Sequence, residues 1–356
     1  MALAVIFGGR SCEHDVSIVT GVQAACELKS RGSLPIYVDT DGNWHTGRDL
    51  FSVAGARAGK KLKRVYMRPG SSALYALSGR ELAKIDEAVL CCHGAGGEDG
   101  SLQGLMELCG VPYTCSGLLP SAVCLDKAEF KARASAMGYP VLPYVVFARA
   151  EWNGDICSVA DRLNSVGYPL IVKPARQGSS IGVGKAENEA ELVACTRNAL
   201  CYDDKIVAER LLKGFREFNC AALGDENDVT VSCVEEPIGW KDFLTYADKY
   251  AGKAAVKRRM PADISEDLAE RIRDMTRSVF LSFGLSGVAR IDYLLSSEGE
   301  LYVNEANTVP GSLASYLFVA SGMTIREFYR RLLGAAKNTF AKRNIRRFAP
   351  PVRVGK

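Results

Sequence analysis

Ala289-Arg-Ile-Asp-Tyr-Leu-Leu295 runs into the polar turn Ser296-Ser-Glu-Gly299. The chain then continues as Leu301-Tyr-Val-Asn-Glu-Ala-Asn-Thr-Val-Pro-Gly311. Two apolar, β-prone runs around a short polar turn predict a β-hairpin. Alternation along each strand sends Arg290 and Asp292 to one face, and Glu305 and Asn307 likewise. If the strands pair in register, one acid from each meets its partner across the sheet. Two carboxylates and an amide oxygen on an otherwise apolar sheet are costly to leave unpaired. Hard oxygen ligands of this kind suit Mg²⁺, which is usually held by one or two carboxylates plus substrate phosphates. Arg290 beside them offers a fixed fork of donors for a developing oxyanion. The apolar neighbours argue for central strands over a surface hairpin with ordinary charges.

The chain around this hairpin has 356 residues, more than one typical core, which suggests two or three domains. Apolar content of 47% and charged content of 24% are those of an ordinary globular protein. A net charge of +4 is too small to argue for nucleic acid or a membrane surface, and neither is expected as a partner. Much of the excess sits in a basic tail with Lys342, Arg343, Arg346, Arg347, Arg353 and Lys356. The 12 cysteines include no C-x-x-C pair and lie mostly in apolar runs, such as Cys91, Cys92, Cys109 and Cys124. They read as small buried hydrophobes in a reducing compartment. The first residues are too short and lack the basic leader of a signal peptide, and no apolar run is long enough to span a bilayer. A cytoplasmic protein is expected.

From the N-terminus, Leu3-Ala-Val-Ile-Phe7 is an apolar strand and Gly8-Gly-Arg-Ser-Cys-Glu-His14 a turn. A helix follows from near Asp15 and stops by Gly32, and Pro35-Ile-Tyr-Val38 is a second strand. This order opens a doubly wound α/β unit, whose ligands sit beyond the carboxyl ends of its strands. Glu13 lies there, although taken alone it reads as an acid complementing a helix N-terminus. Residues 41–80 are polar, Gly-rich and basic, and are expected to be an irregular insertion. Ala88-Val-Leu-Cys-Cys92 is another strand, running into His93-Gly-Ala-Gly-Gly-Glu-Asp-Gly100. That segment fails the dinucleotide fingerprint, because Asp99 stands where the third glycine belongs. It still brings backbone N–H groups near a ligand. His93 is either a ligand-positioning group or a satisfied core histidine.

A helix over 126–137 is closed by Gly138, with Lys127 in its first turn, a poor place for a cation unless it reaches a phosphate. The strand through Val172-Lys-Pro174 leads into Gly178-Ser-Ser180, a Gly/Ser loop preceded by a lysine that can cradle phosphate. It is not a Walker loop. Further strands are expected at 205–212, 216–223 and 229–233, with a long helix over 263–283. The polar-aromatic segment Phe243-Leu-Thr-Tyr-Ala-Asp-Lys-Tyr250 reads as a functional loop.

Together these blocks resemble one family, the D-alanine–D-alanine ligases of the ATP-grasp fold. The match covers nearly the whole chain apart from 41–80 and the basic tail. The blocks stand in the family's order: Phe7-Gly-Gly-Arg-Ser-Cys-Glu13, the His93–Gly100 glycine turn, Pro112-Tyr-Thr-Cys-Ser-Gly117 and Asp126-Lys127, then Val172-Lys-Pro174 with its Gly/Ser loop, Ala247-Asp-Lys-Tyr250, Arg290-Ile-Asp292 and Asn304-Glu-Ala-Asn-Thr-Val-Pro-Gly311. The resemblance implies an N-terminal α/β domain over 1–117. Two α+β domains, 118–213 and 214–356, would grip ATP.

It also implies roles position by position. Lys127 and Lys173 would hold ATP phosphates. Glu209, Arg210, Leu211 and Leu212 would bind adenine, and Glu217 ribose. Lys249 would close over the phosphates on a 243–256 lid that excludes water. Asp292, Glu305 and Asn307 would bind two Mg²⁺ ions, with Mn²⁺ as an alternative. Glu13 would take the ammonium of the first D-alanine, linked through Ser179 and Tyr250. His93 would sit near that substrate. Arg290 and the Gly311 N–H would stabilise a tetrahedral intermediate formed when a second amine attacks an acyl phosphate. A homodimer is implied as well.

One departure stands out. The family usually has a Thr and then a Ser after the glycine, placed to hold the second substrate's carboxylate. Here the run is Ser312-Leu-Ala-Ser-Tyr-Leu-Phe318, so Ser312 or Ser315 would substitute and Tyr316 stands at the serine position. The second substrate is thereby left open between D-alanine and another D-amino acid such as D-serine. The Lys249-Tyr250 pair favours an amino acid over a hydroxy acid, since ligases of the family that use D-lactate lack that tyrosine. Rival expectations are a non-catalytic ATP-grasp protein that binds nucleotide, and a nucleic-acid binder working through the basic tail.

Overall fold

The computed structural model describes residues 2–238 and 257–344. The first sheet has six strands: β1 (Ala2–Gly8), β2 (Ser33–Val38), β3 (Trp44–Thr46), β4 (Lys63–Arg68), β5 (Ser71–Ala76) and β6 (Glu81–Leu90). β1 pairs in parallel with both β2 and β6. Residues 3–7 of β1 are buried because both its faces are covered, which is why the run is continuously apolar. The helix His14–Glu27 packs Ile18, Val22, Ala24 and Ala25 onto this sheet.

Residues 41–80 are not irregular. They supply β3, β4 and β5, which pair antiparallel and close the sheet on itself, and the helix Val53–Ala58. Parallel pairing is thus confined, within this sheet, to β2, β1 and β6. The strands were hidden because they are short, half-exposed and interrupted by register shifts, so no clean alternation marks them.

The second sheet has the order β7-β10-β8-β9, from β7 (Tyr144–Ala148), β8 (Leu170–Pro174), β9 (Gly184–Ala186) and β10 (Lys205–Arg210). Leu170 and Val172 of β8, with Ile206 and Ala208 of β10, face a core built with the helices Ile156–Val166 and Glu189–Ala199. Period-two alternation sends Lys173 and Glu209 to the opposite face. Asn188 caps the second of these helices through its side chain, as its position predicts.

The third sheet begins with β11 (Arg216–Gly224) and β12 (Val229–Val231). The chain then forms a two-stranded ladder, β13 (Glu236–Ile238) and β14 (Lys257–Arg259), and returns as β15 (Gly287–Leu295) and β16 (Leu301–Asn307) in the order β12-β11-β15-β16. The helix Glu266–Ser282 covers one face, packing Ile272, Val279 and Phe280 against Phe218, Ile291 and Val303. The hairpin turn is closed by Ser296 N–H donating to the Glu300 carbonyl. The last helix, Ile325–Asn344, buries Phe328, Leu332 and Leu333 in the first core.

All 12 cysteines are free, but the buried-cysteine expectation holds only in part, since Cys12, Cys26, Cys157 and Cys201 are exposed. Among the described residues no helix is long and apolar enough to cross a membrane.

Gly21 marks the closest approach of helix to sheet. A Cβ there would lie 2.2 Å from the Cβ and Cγ of buried Phe7. Replacing it by Ala gains about 1 kcal/mol of helix propensity, but an overlap of this depth forces repacking that costs about 1–3 kcal/mol. Gly21→Ala is therefore expected to lower the thermal unfolding transition, and an unchanged transition would contradict this packing.

Candidate active site

Two adjoining cavities open on the polar faces of the sheets. The narrower, about 140 Å³, lies between the second and third sheets. Lys127, Lys173, Gly178, Ser179, Ser180, the run from Glu209 to Leu212, Glu217, Asp292 and Glu305 all line it. Lys127 sits at the start of the helix Lys127–Ala136, whose Asp126 cap accepts from Ala128 N–H at 3.0 Å. The Lys127 ammonium donates to the Gln177 carbonyl at 2.5 Å and lies 3.6 Å from Glu305. The Gly/Ser loop holds Ser179 and Ser180 in the left-handed region, at φ 50° and 58°. Successive backbone N–H groups in such turns form anion-binding concavities.

Behind the lysines lies an ion cluster that sequence inspection did not find. Glu209 is buried between Lys173, in direct contact, and Lys131, at 2.7 Å. Burial alone would raise the Glu209 pKa, but the two ammonium groups outweigh it and hold the carboxyl at about 2. Burial pulls the Lys131 pKa down against the pull of Glu209. The available signal was helical spacing: Lys131 follows Lys127 by four residues and shares its face.

On the third sheet the register matches the alternation. Arg290 stands opposite Asn307, and Asp292 opposite Glu305. A bulge between Asp292 and Tyr293 leaves Asn304 as the extra residue of β16, and both Asn304 and Glu305 line the narrow cavity. The Arg290 guanidinium grips Asp292 with two bonds of 2.7 Å, and Asn307 donates to Asp292 at 3.1 Å. Burial opposes the Arg290 charge, but Asp292 overrides it and keeps the pKa well above the ordinary arginine value. Among the described residues no three His, Cys, Asp or Glu side chains cluster for a metal. The donor set here is two carboxylates and an amide. Such hard oxygens beside a lysine-lined cleft fit Mg²⁺ completed by phosphate oxygens.

The wider cavity, about 630 Å³, adjoins the first sheet. Glu13, Thr20, His93, Glu98, Ser179, Arg290, Gly311 and Ser312 reach it. Ser179 donates its hydroxyl to Glu13. A Cβ on Gly178 would fall 2.6 Å from a Glu13 carboxylate oxygen, and one on Gly94 2.8 Å from it, so the acid packs against bare backbone on two sides. His93 is buried at 3% exposure. Burial first, and Arg290 second, pull its pKa down to about 4, so the imidazole is neutral at physiological pH. Its Nε2 lies 2.8 Å from the Thr20 hydroxyl, which also accepts the Ser312 N–H at 3.1 Å.

Glu98 accepts from Gly94 N–H at 2.8 Å and Val309 N–H at 3.0 Å. Burial first, and then the Glu13 charge, push its pKa well above the ordinary carboxylate value. Thr20 and Glu98 thus fasten the first sheet to the turn that presents Gly311, although neither carried a role in the sequence expectations.

Most of the expected site residues therefore converge on these two cavities. Arg210 is exposed at the rim of the narrower one, and Glu217 and Ser179 face both. The whole 243–256 loop, with Lys249 and Tyr250, and the tail beyond Asn344 lie outside the described residues. Arg343, inside them, donates to the Tyr113 hydroxyl at 2.8 Å and lies 2.9 Å from Glu107, so it ties the last helix to the first sheet's domain.

Comparison with known proteins gives one family. A profile described as D-ala D-ala ligase N-terminus matches residues 2–116, and one described as D-ala D-ala ligase C-terminus matches 134–334. D-alanine–D-alanine ligase A of Chromobacterium violaceum is 36% identical over 351 residues, covering 94% of each chain. The D-alanine–D-alanine ligase of Thermosipho africanus is 34% identical over 349 residues, covering 95% of this chain and 94% of its own. Among solved structures, the D-alanine–D-alanine ligase of Coxiella burnetii superposes with a TM-score of 0.84 at 25% identity, over 97% of this chain and 96% of its own. A D-Ala:D-Ser ligase from Enterococcus faecalis superposes with a TM-score of 0.81 at 28% identity, over 94% and 99%.

The Glu209 cluster makes a stability prediction. Glu209→Gln leaves Lys131 buried without its counter-charge, a change that costs about 3–5 kcal/mol. The wild-type carboxyl titrates near 2 when folded against an ordinary value of 4.5. Its contribution is thus complete above pH 4.5 and is lost as pH falls toward 2. Denaturation of both proteins across this range should show the gap between them closing as acid is added. A gap independent of pH would exclude the ion cluster as its source.

Proposed function

The chain belongs to the D-alanine–D-alanine ligase family, and from that premise we propose that it joins two D-alanines to D-alanyl-D-alanine with ATP as the energy source. The observation that carries this is a single face of the third sheet. Arg290, Asp292, Glu305 and Asn307 stand there where the lysine-lined cleft meets the cavity that holds Glu13.

Lys127 and Lys173 receive the ATP phosphates, exchanging their contacts with Glu305 and Glu209 for phosphate oxygens. Adenine lies against the segment from Glu209 to Leu212, and ribose meets Glu217. Asp292, Glu305 and Asn307 would hold Mg²⁺, two ions in our proposal with Mn²⁺ able to replace them, and the metal supplies charge neutralisation at the transferring phosphate. Glu13, fixed by Ser179, takes the ammonium of the first D-alanine and leaves its carboxylate toward Arg290. That carboxylate oxygen attacks the γ-phosphorus, the bond to the β-phosphate oxygen breaks, and ADP departs from an acyl phosphate. The neutral amine of the second amino acid attacks the acyl carbon, the carbon–oxygen bond to phosphate breaks, and inorganic phosphate leaves with the proton that the new amide nitrogen sheds. Negative charge gathers on the carbonyl oxygen, where Arg290 and the Gly311 N–H supply donors. His93, neutral and held by Thr20, borders the first substrate without adding a charge there.

Lys249 and Tyr250 would complete the phosphate and Glu13 contacts. We also propose three domains, 1–117, 118–213 and 214–356, and a cytoplasmic homodimer that makes peptidoglycan precursors without nucleic-acid or membrane partners. A second acceptor, D-serine in place of the second D-alanine, has the support of the likeness to the D-Ala:D-Ser ligase from Enterococcus faecalis.

The test is phosphate release from ATP and Mg²⁺ with D-alanine alone, then with D-serine or D-lactate added, the products weighed by mass spectrometry. D-Ala–D-Ala is expected as the main product. A preferred mixed product would establish the second acceptor, and no release with any pair would leave nucleotide binding alone. Asp292→Asn and Glu305→Gln should each lower kcat by about 10²–10³-fold or more with circular dichroism unchanged. Near-normal turnover in both would remove these residues from the site.

A further inference from the structure

The second amino acid brings a carboxylate two bonds from its attacking amine, and that charge must be met inside the wider cavity. Among the described residues lining it, the cations are Arg57, Arg258 and Arg290. Arg57 sits at the rim, more than half exposed, paired with exposed Asp15 at 3.1 Å. Arg290 is gripped by Asp292. Arg258 is held differently.

β13 and β14 pair Pro237 with Arg258 and Glu236 with Arg259. Alternation then places Glu235, Pro237 and Arg258 on the cavity side, and all three line it. Glu236 and Arg259 turn away, where Glu236 takes two bonds from Arg216 at 2.7 and 2.9 Å. The Arg258 guanidinium lies 4.9 Å from the centre of the Tyr316 ring, and its Nη1 is 3.2 Å from Glu235. Glu235 is 1% exposed and also accepts the Tyr316 hydroxyl at 3.0 Å and the Asn219 amide at 3.3 Å. A buried acid thus fixes both the ring and the cation held over it. A guanidinium held over an aromatic face still presents N–H groups at its edge, in the planar fork that matches a carboxylate.

We propose that Arg258, held over the Tyr316 ring and paired with Glu235, binds the carboxylate of the second amino acid. The inference rests on the ligase function proposed above. Tyr316 is where the chain departs from the family's serine, so here an arginine held over the ring supplies the carboxylate contact and the tyrosine is its platform. Glu235 and Tyr316 are positioning residues, and Arg258 is the binding residue.

The experiment compares two acceptors, D-alanine and D-alaninamide, with the wild type and Arg258→Gln, ATP and the first D-alanine being kept saturating. The amide retains the amine and lacks the carboxylate. In Arg258→Gln the KM for acceptor D-alanine should rise about ten- to a hundredfold, while the amide and the KM for ATP change little. The preference for D-alanine over its amide therefore collapses. Arg258→Lys, which keeps the charge without the planar fork, should recover part of it. Tyr316→Phe, which keeps the ring but frees Glu235 from the phenol, should weaken the preference by less. An unchanged preference in Arg258→Gln, or an equal loss with both acceptors and with ATP, overturns the assignment while leaving the ligase function standing. A wild type that forms no dipeptide overturns both.

Discussion

Asp292 meets Glu305, and Arg290 meets Asn307, because β15 and β16 pair antiparallel across the turn closed by Ser296 and Glu300. A slip of β16 by one residue would turn Glu305 and Asn307 toward the helix Glu266–Ser282 and bury a charge in its apolar face. The register is held from that other side. Ile291, Tyr293, Leu301 and Val303 are completely buried there, and the Tyr293 hydroxyl is satisfied by Thr276 at 2.8 Å. The apolar face thus sets the geometry of the polar one. The bulge at Asn304 is a local exception within that register, and it presents two adjacent side chains to the narrow cavity.

The lysines on the opposite wall pose a different problem. Lys127 and Lys173, the cations proposed to receive phosphate, would repel each other and stay poorly solvated in a cleft. Glu209 and Glu305 answer this by sitting beside Lys173 and Lys127 respectively. Buried ion pairs contribute little net stability, because desolvation of both partners offsets their attraction. Their value here is positional. Glu209 is 1% exposed and cannot leave, so its two lysines have a fixed origin from which to reach a ligand. Lys131, at 1% exposure on the far side, is a second cation that keeps Glu209 ionised beside Lys173.

The parts legible in the sequence were those where a strong period coincided with unusual chemistry. The hairpin announced itself through alternation, and Lys173 through a buried strand ending in a Gly/Ser loop. The Asn188 cap and the glycine-closed helices followed from capping rules. What stayed hidden depended on contacts between segments far apart in the chain. Glu98 and Val309 lie 211 residues apart, Thr20 and Ser312 292 apart, and nothing in local spacing links either pair. The strands of 41–80 were missed for another reason. They close a sheet with one side exposed, so polar residues fall where a buried strand would show valines. Arg258 was passed over because a basic run, Lys257-Arg-Arg259, reads as a solvated face until β13 fixes which of the three points inward.

The turn after Pro310 shows how the Gly311 N–H, the proposed oxyanion donor, is kept in place. Ser312, Leu313 and Ala314 all adopt left-handed backbone, at φ 51°, 53° and 49°, and none is glycine. Each such residue costs about 1–2 kcal/mol relative to a right-handed one, so the turn does not form by local preference. Leu313, Ala314, Leu317 and Phe318 are buried in the core beneath the first sheet, and burying a leucine or phenylalanine side chain contributes about 1.5–3 kcal/mol. Ser312 is tied to Thr20 by its N–H, and its carbonyl accepts the Ser315 hydroxyl at 2.9 Å. Because the strain is offset by packing against the first sheet, Gly311 holds its position only while the first and third sheets stay joined. Glu98, bonded to Gly94 on one side and Val309 on the other, lies on that same seam. Gly311, the proposed donor for the tetrahedral oxygen, and Glu13, the acid proposed to bind the first substrate, are therefore set by one junction, and a change that loosens it displaces both together.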